Sequence, residues 1–544
     1  MRPAVPPAGL DHCLFRPSLL IYRRNVTGER DVNIGNGILN FVERAGNRLP
    51  DPVTIFVILI TAVVTISVLA AGAGLESTHP VTGDTIAAQS LLSGDNIRRL
   101  LTEFTSIFVN FPPLGLVLVV MIGAGVAERT GLFGAGLRAL VGWVPNTLLT
   151  ATLVFAGVMG NLAVDAGYVV LIPLGGIVFA SVGRHPIAGI AATFAGVSAG
   201  FSANLFPGPL EPLLLGITVQ AAQFIDPDWQ LNILSNYYFI FALTPAVVIA
   251  GTWVTQAIIE PRLGEWKGLK GENGEDQDAP TTDLTAAERR GLMAAGVVMI
   301  ALIAWVVSMT MPADAILRDE NGDLAPFYNS IVAISMIAFL LMGLAFGIAA
   351  GTIKSDKDAV AMASGAMSDM GVYIVLAFVM AMFLALFAWS NLGTILAING
   401  AAALQASGLP APLLLVAMVL LTAVLNLFVG SASAKWAMLA PVAVPMLMLL
   451  GIGPDATTAA YRVGDGATNI ITPLLPYMPL ILVFARRYVP EFGLGSLIAT
   501  MLPYSVAILV VSLGVLGVFV LADLPLGPGI APVSYDATGL TPAQ

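Results

Sequence analysis

Two polar segments interrupt long apolar stretches in the second half of the chain, and they constrain the fold more than any other feature. Residues 430–436 (Gly-Ser-Ala-Ser-Ala-Lys-Trp) and 461–469 (Tyr-Arg-Val-Gly-Asp-Gly-Ala-Thr-Asn) lie among almost wholly apolar neighbours. A charge at the centre of a bilayer costs about 2.5–3.5 kcal/mol on insertion scales. We therefore expect Lys435, Arg462 and Asp465 to have a function there.

The composition indicates an integral membrane protein. Of 544 residues, 57% are hydrophobic and 11% are charged, whereas soluble domains have about 25% charged residues. The single cysteine, Cys13, excludes an intramolecular disulfide and a cysteine-based metal site, and three histidines argue against a histidine site. We expect a lipid bilayer around the chain, no cofactor, no metal and no nucleic-acid partner.

Seven apolar runs are long enough to cross a bilayer, which takes about 20 residues in a helix. They lie near residues 52–73, 106–127, 236–259, 290–310, 328–350, 372–393 and 495–522. The positions of Lys and Arg predict a cytoplasmic N-terminus and an external C-terminus. Arg98 and Arg99, in an expected external loop, go against this assignment.

Two further apolar zones, 144–222 and 411–484, are repeatedly cut by Gly, Pro and polar residues. Between an external loop expected near 394–410 and the internal Arg486, the chain must cross the membrane an odd number of times. One re-entrant hairpin and one broken crossing satisfy this condition in each zone. The resulting prediction is an all-α protein of about nine transmembrane helices and two re-entrant hairpins.

The two halves of the chain match in the spacing of their Gly, Pro and Asn residues. The matched positions and separations are Gly160 and Gly430 (270), Pro186 and Pro454 (268), Gly196 and Gly464 (268), and 202–204 with 467–469 (265). Broken helices at corresponding positions are typical of inverted-repeat secondary transporters. The predicted parts are an extension (1–34), a first repeat (35–259, hairpin about 144–183), a cytoplasmic linker (260–289), a linking span (290–310), a second repeat (328–522, hairpin about 411–451) and an external tail (523–544).

Short polar side chains at these interruptions predict a binding site for a small anionic molecule. Helix ends inside a bilayer leave N–H groups that favour anions. The candidate substrate-binding residues are Ser433, Trp436, Arg462, Asn161, Asn204, Asn469 and Ser202. The residues expected to shape the site are Lys435, Pro454, Pro473, Gly160, Gly430 and Gly464.

Three carboxylates are candidates for coupling transport to protons: Asp465, Glu211 and Asp165. Each has a structural alternative. Asp465 could pair with Arg462, three residues earlier on a helix, and Asp165 could pair with Lys435. Glu211 could simply lie near the external end of its broken span. Trp436 could stack on a substrate ring or act as an interfacial anchor, the commoner role of membrane tryptophan.

The second interrupted zone resembles the AbgT family of bacterial transporters. The resemblance is carried by Ser433, Trp436, Pro454, Arg462, Asp465 and Pro473, and by the segments 37–44 and 160–167. It covers about residues 35–522. It implies a homodimer whose subunits each have nine spans, two hairpins and an aqueous bowl facing the cytoplasm. It also implies import of p-aminobenzoyl-glutamate and proton-driven export of sulfonamide antimetabolites.

The resemblance also implies residue roles. Asp465 would be proton-linked, Ser433, Trp436 and Arg462 would contact substrate, and the two prolines would support the site. An acidic residue of the first half also has a role in the family. Glu211 fits its spacing and Asp165 fits its residue type.

Two other functions compete with a proton-coupled transporter of folate-related aromatic anions. One is a sodium-coupled carboxylate or dicarboxylate symporter of the same broad architecture, which paired Ser/Thr-Asn segments would suit. The other is an intramembrane enzyme, which would need acidic metal motifs or a nucleophile with its base. The sequence has no such arrangement, so we expect no enzymatic activity.

Overall fold

The computed structural model describes residues 50–78, 83–142, 145, 147–162, 167–264, 266, 284–312, 314–320, 322–528 and 533–535. Several features predicted from the sequence lie wholly or partly outside these residues. They include the extension 1–34, the family-like segments 37–44 and 160–167, Asp165, most of the linker 260–289 and most of the tail 523–544.

Helices form nearly all of the described chain. The first part contains α1 (Pro52–Gly72), β1 (Glu76–Thr78), β2 (Thr85–Ala87), α2 (Gly94–Val109), α3 (Pro112–Thr130) and α4 (Leu132–Gly142). The first interrupted zone contains α5 (Leu149–Gly160), a π-helical turn (Gly167–Leu171), α6 (Ile172–Ser181), α7 (Pro186–Ser198), a 3₁₀ turn (Ala199–Ser202) and α8 (Leu210–Ala222). The two strands form a small antiparallel hairpin, which leaves the fold class all-α.

The remaining helices follow in two groups. The middle of the chain contains α9 (Tyr237–Val254), a π-helical turn (Thr255–Ile259), α10 (Glu260–Leu263), α11 (Ala286–Thr310), α12 (Ala325–Ala350), α13 (Asp356–Asp369) and α14 (Gly371–Trp389). The last part contains α15 (Leu392–Ala406), α16 (Ala411–Asn426), α17 (Ala432–Met448), α18 (Pro454–Thr468), α19 (Met478–Arg486) and α20 (Leu494–Leu521).

In the described part of the chain, seven helical segments are long and apolar enough to cross a membrane. They coincide with the seven predicted runs, so the chain is a multi-pass membrane protein. The second of them, Gly94–Thr130, is longer than predicted because amphipathic α2 precedes the apolar α3. Arg98 and Arg99 belong to α2, where Arg99 pairs with Glu103 and lies over the Trp389 ring.

The segment near 394–410, predicted as an external loop, is largely helical. Residues 392–406 form α15, which packs against α17. The sequence signal failed here because the segment is shorter than the roughly 20 apolar residues that mark a crossing. Short apolar helices that pack on protein rather than span lipid have no length signature of their own.

Both interrupted zones consist of helices too short to cross a bilayer alone. In the first zone, α7 and α8 are separated by the 3₁₀ turn and extended residues. In the second zone, residues 469–477 separate α18 from α19. Each segment predicted as a broken crossing therefore consists of a pair of short helices.

The turn that leads into each broken crossing has the same form. Gly183 and Gly451 have positive φ angles of 76° and 80°, a conformation that favours glycine. A proline then occupies the first turn of α7 and of α18, where its missing N–H removes no helical hydrogen bond. The two glycines lie 268 positions apart in the sequence (183 and 451), as do the starts of α8 and α19 (210 and 478).

The helices α7 and α18 form the centre of the molecule. Every residue of both helices is buried. α7 packs on α5 and α6, whereas α18 packs on α16, α17 and α20. A helix buried on all sides is typical of the core of a large protein, so the polar residues of α18 are enclosed by protein.

Gly196 and Gly464 allow these central helices to approach their neighbours closely. A Cβ on Gly196 would lie 2.2 Å from the carbonyl oxygen of Val154 in α5. A Cβ on Gly464 would lie 2.3 Å from the carbonyl oxygen of Val419 in α16. Gly464 therefore has a packing role that supports its predicted place at the site.

We expect Gly464→Ala to destabilise the protein by about 1–3 kcal/mol or more, because the added methyl group would overpack a helix interface. The measurement is the thermal unfolding midpoint of the detergent-purified protein by tryptophan fluorescence. Gly514→Ala in α20 is the matched control, since a Cβ there meets no atom within 4 Å. Equal midpoints for the two variants would contradict the packing role.

Candidate functional site

The candidate site is built around the polar residues of α18, which pack against α17, α8 and the turn after α7. Arg462 and Asp465 have side chains that are 3% and 2% exposed. Each charge has a partner of opposite sign on another helix. Buried charges are tolerated where they are paired and hydrogen-bonded.

Lys435 of α17 forms a buried ion pair with Asp465. Lys435 Nζ lies 2.5 Å from Asp465 Oδ1, and both side chains are 2% exposed. The same ammonium group donates hydrogen bonds to Asn426 Oδ1 and, at 3.3 Å, to the carbonyl oxygen of Val429. Its contact with Asp465 lacks hydrogen-bond geometry, so Asp465 Oδ1 has no hydrogen-bond partner among the described residues.

Asn426, the last residue of α16, ties this ion pair to the end of α18. Its amide Nδ2 lies 2.8 Å from the carbonyl oxygen of Asp465, 2.9 Å from Thr468 Oγ1 and 2.8 Å from Asn469 Oδ1. Asn426 was not among the site residues predicted from the sequence. Its position could have indicated a role, because Asn426 follows Asn161 by 265 positions, the same offset that relates Asn204 to Asn469.

Arg462 forms the second buried ion pair, with Glu211 of α8. Arg462 Nη1 lies 3.2 Å from Glu211 Oε1, while Glu211 Oε2 accepts a hydrogen bond of 2.5 Å from the Gly208 amide. Glu211 is the second residue of α8, where the positive end of the helix dipole favours a carboxylate. In the described chain, Arg462 Nε has no hydrogen-bond partner.

These contacts correct the pairings considered from the sequence. Asp465 pairs with Lys435 and not with Arg462, although Arg462 and Asp465 lie three residues apart on α18. Helical spacing alone ignores partners that tertiary packing brings from α17 and α8. Glu211 lies at the break between α7 and α8 rather than at an outer end, and Asp165 lies outside the described residues.

Trp436 is fully buried, so its interpretation as an interfacial anchor is wrong. Its Nε1 donates to Thr218 Oγ1 at 3.0 Å, and Thr218 Oγ1 lies 2.9 Å from Thr458 Oγ1. Its ring packs against Tyr461 with centroids 4.5 Å apart. In this conformation, the Trp436 ring joins α17 to α18 and α8.

A cavity of about 230 Å³ lies beside Glu211. Four predicted site residues line it, namely Asn161, Ser202, Asn204 and Glu211, together with apolar side chains of α3 and Tyr373 of α14. Ser202 is buried, and its Oγ has no hydrogen-bond partner in the part of the chain that the structure describes. The cavity therefore offers an unused hydrogen-bonding group beside a carboxylate.

The other predicted substrate contacts do not line this cavity. Ser433, near the start of α17, has its Oγ 3.3 Å from Ser431 Oγ. Asn469 Nδ2 donates a weak hydrogen bond of 3.5 Å to the carbonyl oxygen of Ser198. Arg462 is the link between the cavity and these second-half residues, because it contacts Glu211 on the cavity wall.

The two halves hold their helix breaks with the same kind of hydrogen bond. Asn161 Nδ2 donates to the carbonyl oxygen of Gly200 at 3.2 Å, and Asn426 Nδ2 donates to that of Asp465 at 2.8 Å. Donor and acceptor are both displaced by 265 positions between the halves (161 to 426 and 200 to 465). In each half, the asparagine lies at the end of the first short helix of its zone: Asn161 follows α5 and Asn426 is the last residue of α16.

Several of the predicted structural residues lie at the ends of the short helices or in the segments that join them. A Cβ on Gly430 would lie 2.8 Å from the carbonyl oxygen of Leu474, next to Pro473 in the break after α18. Gly160 ends α5, and a Cβ there would lie 3.2 Å from Gly167 Cα. Pro454 occupies the first turn of α18. Among the described residues, no group of three or more His, Cys, Asp or Glu could hold a metal ion.

Comparisons with known proteins agree with this architecture. Residues 37–535 match the model of the AbgT putative transporter family. The chain is 35% identical over 498 residues to the p-aminobenzoyl-glutamate transport protein of Escherichia coli (strain K12), covering 91% of this chain and 97% of that protein.

Two solved structures are similar over nearly the whole chain. The YdaH transporter of Alcanivorax borkumensis has a TM-score of 0.84 and 44% identity, covering 88% of this chain and 100% of its own. MtrF of Neisseria gonorrhoeae, described with a class of antimetabolite efflux pumps, has a TM-score of 0.85 and 42% identity. The match covers 91% of this chain and 100% of the MtrF chain.

We expect Lys435→Met to destabilise the protein by about 3–5 kcal/mol, because removing one partner leaves the other charge buried and unpaired. The double variant Lys435→Met/Asp465→Asn should unfold at a higher temperature than Lys435→Met alone. Thermal unfolding of the purified single and double variants measures this coupling. Additive losses of stability would contradict a direct ion pair.

Proposed function

The chain belongs to the AbgT putative transporter family, and on that premise we propose that it is a proton-coupled secondary transporter of p-aminobenzoyl-glutamate and related folate-pathway aromatic anions. The proposal includes efflux of sulfonamide antimetabolites. A member of this family is a membrane transporter and not an enzyme. The proposal of proton coupling rests on two buried ion pairs at the break of the central helices, Lys435–Asp465 and Arg462–Glu211.

An anionic substrate fits the unused binding capacity beside the cavity. Arg462 has a planar group of five donors that suits a carboxylate, and its Nε has no partner among the described residues. Ser202, Asn161 and Asn204 add short polar groups on the cavity wall. We propose that a substrate carboxylate binds Arg462 while the aromatic part of the substrate occupies the apolar side.

Substrate entry requires this region to open. The cavity of about 230 Å³ is smaller than the roughly 300–1,000 Å³ typical of small-molecule pockets. Trp436 and Ser433 lie behind it and are packed against protein. We propose that movement of the second hairpin, α16 and α17, relative to α8 enlarges the cavity and brings Trp436 and Ser433 to the substrate.

Protons couple to this movement through the two carboxylates. A proton on Asp465 removes the charge that holds Lys435, and Lys435 keeps neutral acceptors in Asn426 Oδ1 and the Val429 carbonyl. A proton on Glu211 likewise frees Arg462 for the substrate carboxylate. Each ion pair can therefore break without leaving Lys435 or Arg462 unpartnered, which is the condition for a usable switch.

We propose that the two halves form an inverted repeat of nine spans and two re-entrant hairpins, in a homodimer in the bacterial inner membrane. The repeat boundaries remain 35–259 and 328–522, joined by the linker 260–289 and the span 290–310 and flanked by 1–34 and 523–544. The matched glycine turns, helix starts and asparagine bonds support this proposal. The N-terminus is cytoplasmic and the C-terminus external in this arrangement.

In proteoliposomes without sodium, an imposed proton gradient should drive accumulation of labelled p-aminobenzoyl-glutamate or of a sulfonamide. Asp465→Asn and Glu211→Gln should abolish accumulation, because neither amide can bind the coupled proton. Glu491→Gln, which changes an exposed acid, is the matched control and should transport normally. The sign of the effective gradient separates uptake from export.

Accumulation that ignores the proton gradient and requires sodium would contradict this proposal. It would favour the sodium-coupled carboxylate symporter instead, particularly if dicarboxylates replaced the aromatic anions as substrates. Unchanged gradient-driven transport by Asp465→Asn would separately remove Asp465 from the coupling mechanism.

The proposed orientation predicts the accessibility of single cysteines introduced into a Cys13→Ser background. Ser407→Cys and Ser534→Cys should react with a membrane-impermeant maleimide in intact cells, because both positions are exposed and external in this arrangement. Lys357→Cys, also exposed, should react only after the membrane is permeabilised. The opposite labelling pattern would reverse the orientation.

A further inference from the structure

A third acidic residue of α18, Asp455, is buried at the opposite end of the helix from Asp465. Asp455 is 2% exposed and is the second residue of α18. The amides of Asp455 and Ala456 lie within hydrogen-bonding reach of its carboxylate, but Oδ2 has no partner in the described chain. Asn236 Nδ2 donates to the Asp455 carbonyl oxygen at 3.0 Å, and Asn236 Oδ1 likewise lacks a partner among those residues.

This end of α18 is therefore short of hydrogen-bond donors. Two buried acceptor atoms, Asp455 Oδ2 and Asn236 Oδ1, have none among the described residues. An unsatisfied buried acceptor carries a desolvation penalty. A proton on the Asp455 carboxylate supplies an O–H donor and removes a buried negative charge, so it lowers the desolvation penalty at Asp455.

The chain near its C-terminus covers this site in a thin layer. Gly453 N donates to the Val533 carbonyl oxygen and Tyr535 N donates to that of Gly451, each at 2.8 Å. A Cβ on Gly453 would lie 2.5 Å from Asp455 Oδ1 and 3.1 Å from the Val533 carbonyl oxygen. Ser534, in the middle of this bridge, is exposed. Asp455 is thus buried directly beneath the protein surface.

A polar face of α18 connects Asp455 with the two ion pairs. Asp455, Thr458, Arg462 and Asp465 follow at intervals of three, four and three residues, which places them on one side of a helix. The ten residues from Asp455 to Asp465 span about 15 Å at 1.5 Å per residue. Thr458 lies between them and contacts the hydroxyl of Thr218 on α8, which extends this polar face to a second helix.

Few charged groups surround Asp455. The helices α16 and α20, which pack against α18, contain no acidic or basic residue. α17 and α8 contribute Lys435 and Glu211, which pair with Asp465 and Arg462 in the other half of α18. Among the described residues, the titratable groups near this surface include Tyr237, at the start of α9, and Tyr535, whose hydroxyl lies 3.3 Å from Oδ2 of the acidic Asp226.

We propose that Asp455 is a proton-binding site of the transport cycle, at the surface end of the polar face of α18 whose inner end is Asp465. This proposal rests on the proposed proton coupling. A proton from solution binds Asp455 Oδ2 beneath the 451–453 and 533–535 bridge, which neutralises the carboxylate. The hydroxyls of Thr458 and Thr218 and the Arg462–Glu211 ion pair then lie between this site and the carboxylate of Asp465.

The test compares Asp455→Asn with Asp228→Asn, a change of an exposed acid in the same surface region. Asparagine supplies a donor and mimics the protonated acid, so the variant should fold with an unfolding midpoint close to wild type. In proteoliposomes, Asp455→Asn should lose accumulation driven by a proton gradient. It should keep counterflow of labelled against unlabelled p-aminobenzoyl-glutamate at equal pH, because exchange needs no net proton movement.

Gradient-driven accumulation by Asp455→Asn at the wild-type level would overturn the proposal, as would loss of counterflow together with accumulation. If Asp465→Asn is inactive while Asp455→Asn is normal, proton coupling stands and only the role of Asp455 fails. If wild type does not respond to a proton gradient, the proposed function itself fails.

An infrared measurement decides the protonation of Asp455 independently of transport. Difference spectra of the purified protein between acidic and alkaline pH should show a carboxylic-acid C=O band that is lost in Asp455→Asn and kept in Asp228→Asn. Identical difference spectra for wild type and Asp455→Asn would overturn the assignment.

Discussion

The structure depends on keeping four charged side chains paired inside a protein that spans lipid. Lys435 with Asp465 and Arg462 with Glu211 are each nearly inaccessible to solvent, and an unpaired charge in such a place would be strongly destabilising. The pairs also join three separate helices, because α18 provides one charge to each while α17 and α8 provide the partners. The packing of α18 on α17 and α8 therefore depends on these ion pairs, and protonation of either carboxylate would remove one of them.

The helix breaks make this arrangement possible. An uninterrupted helix would satisfy its own backbone groups, whereas the breaks after α7 and α18 leave polar backbone that must find partners within the protein. Asn161 and Asn426 supply such partners at equivalent carbonyl oxygens of the two halves. Gly196 and Gly464 let the neighbouring helices approach closely enough for these bonds to form. Lipid is thereby excluded from the polar centre.

Several parts of this arrangement were predictable. The seven long apolar helices follow from apolar length, the interrupted helices from Gly and Pro spacing, and the enclosed polar residues of α18 from charges in an apolar setting. Asn426 was missed because a single asparagine at a helix end has no distinctive sequence pattern, although its 265-residue offset from Asn161 was available. α15 was mistaken for a loop because a helix this short is not marked by its length. The anchor interpretation of Trp436 was wrong because periodicity does not reveal what covers a side chain.

The sequence by itself determined the membrane environment and the number of long apolar helices, since both depend on local composition and on the high free energy of exposing polar groups to lipid. Tertiary structure alone decided which charges pair. Asp465 has Arg462 on its own helix and Lys435 on another, and packing selects Lys435. It also decided that Asp455 is buried, because its cover comes from residues 533–535, some 80 positions away in the chain. Contacts between distant segments depend on the combined packing of many helices, and no local pattern encodes them.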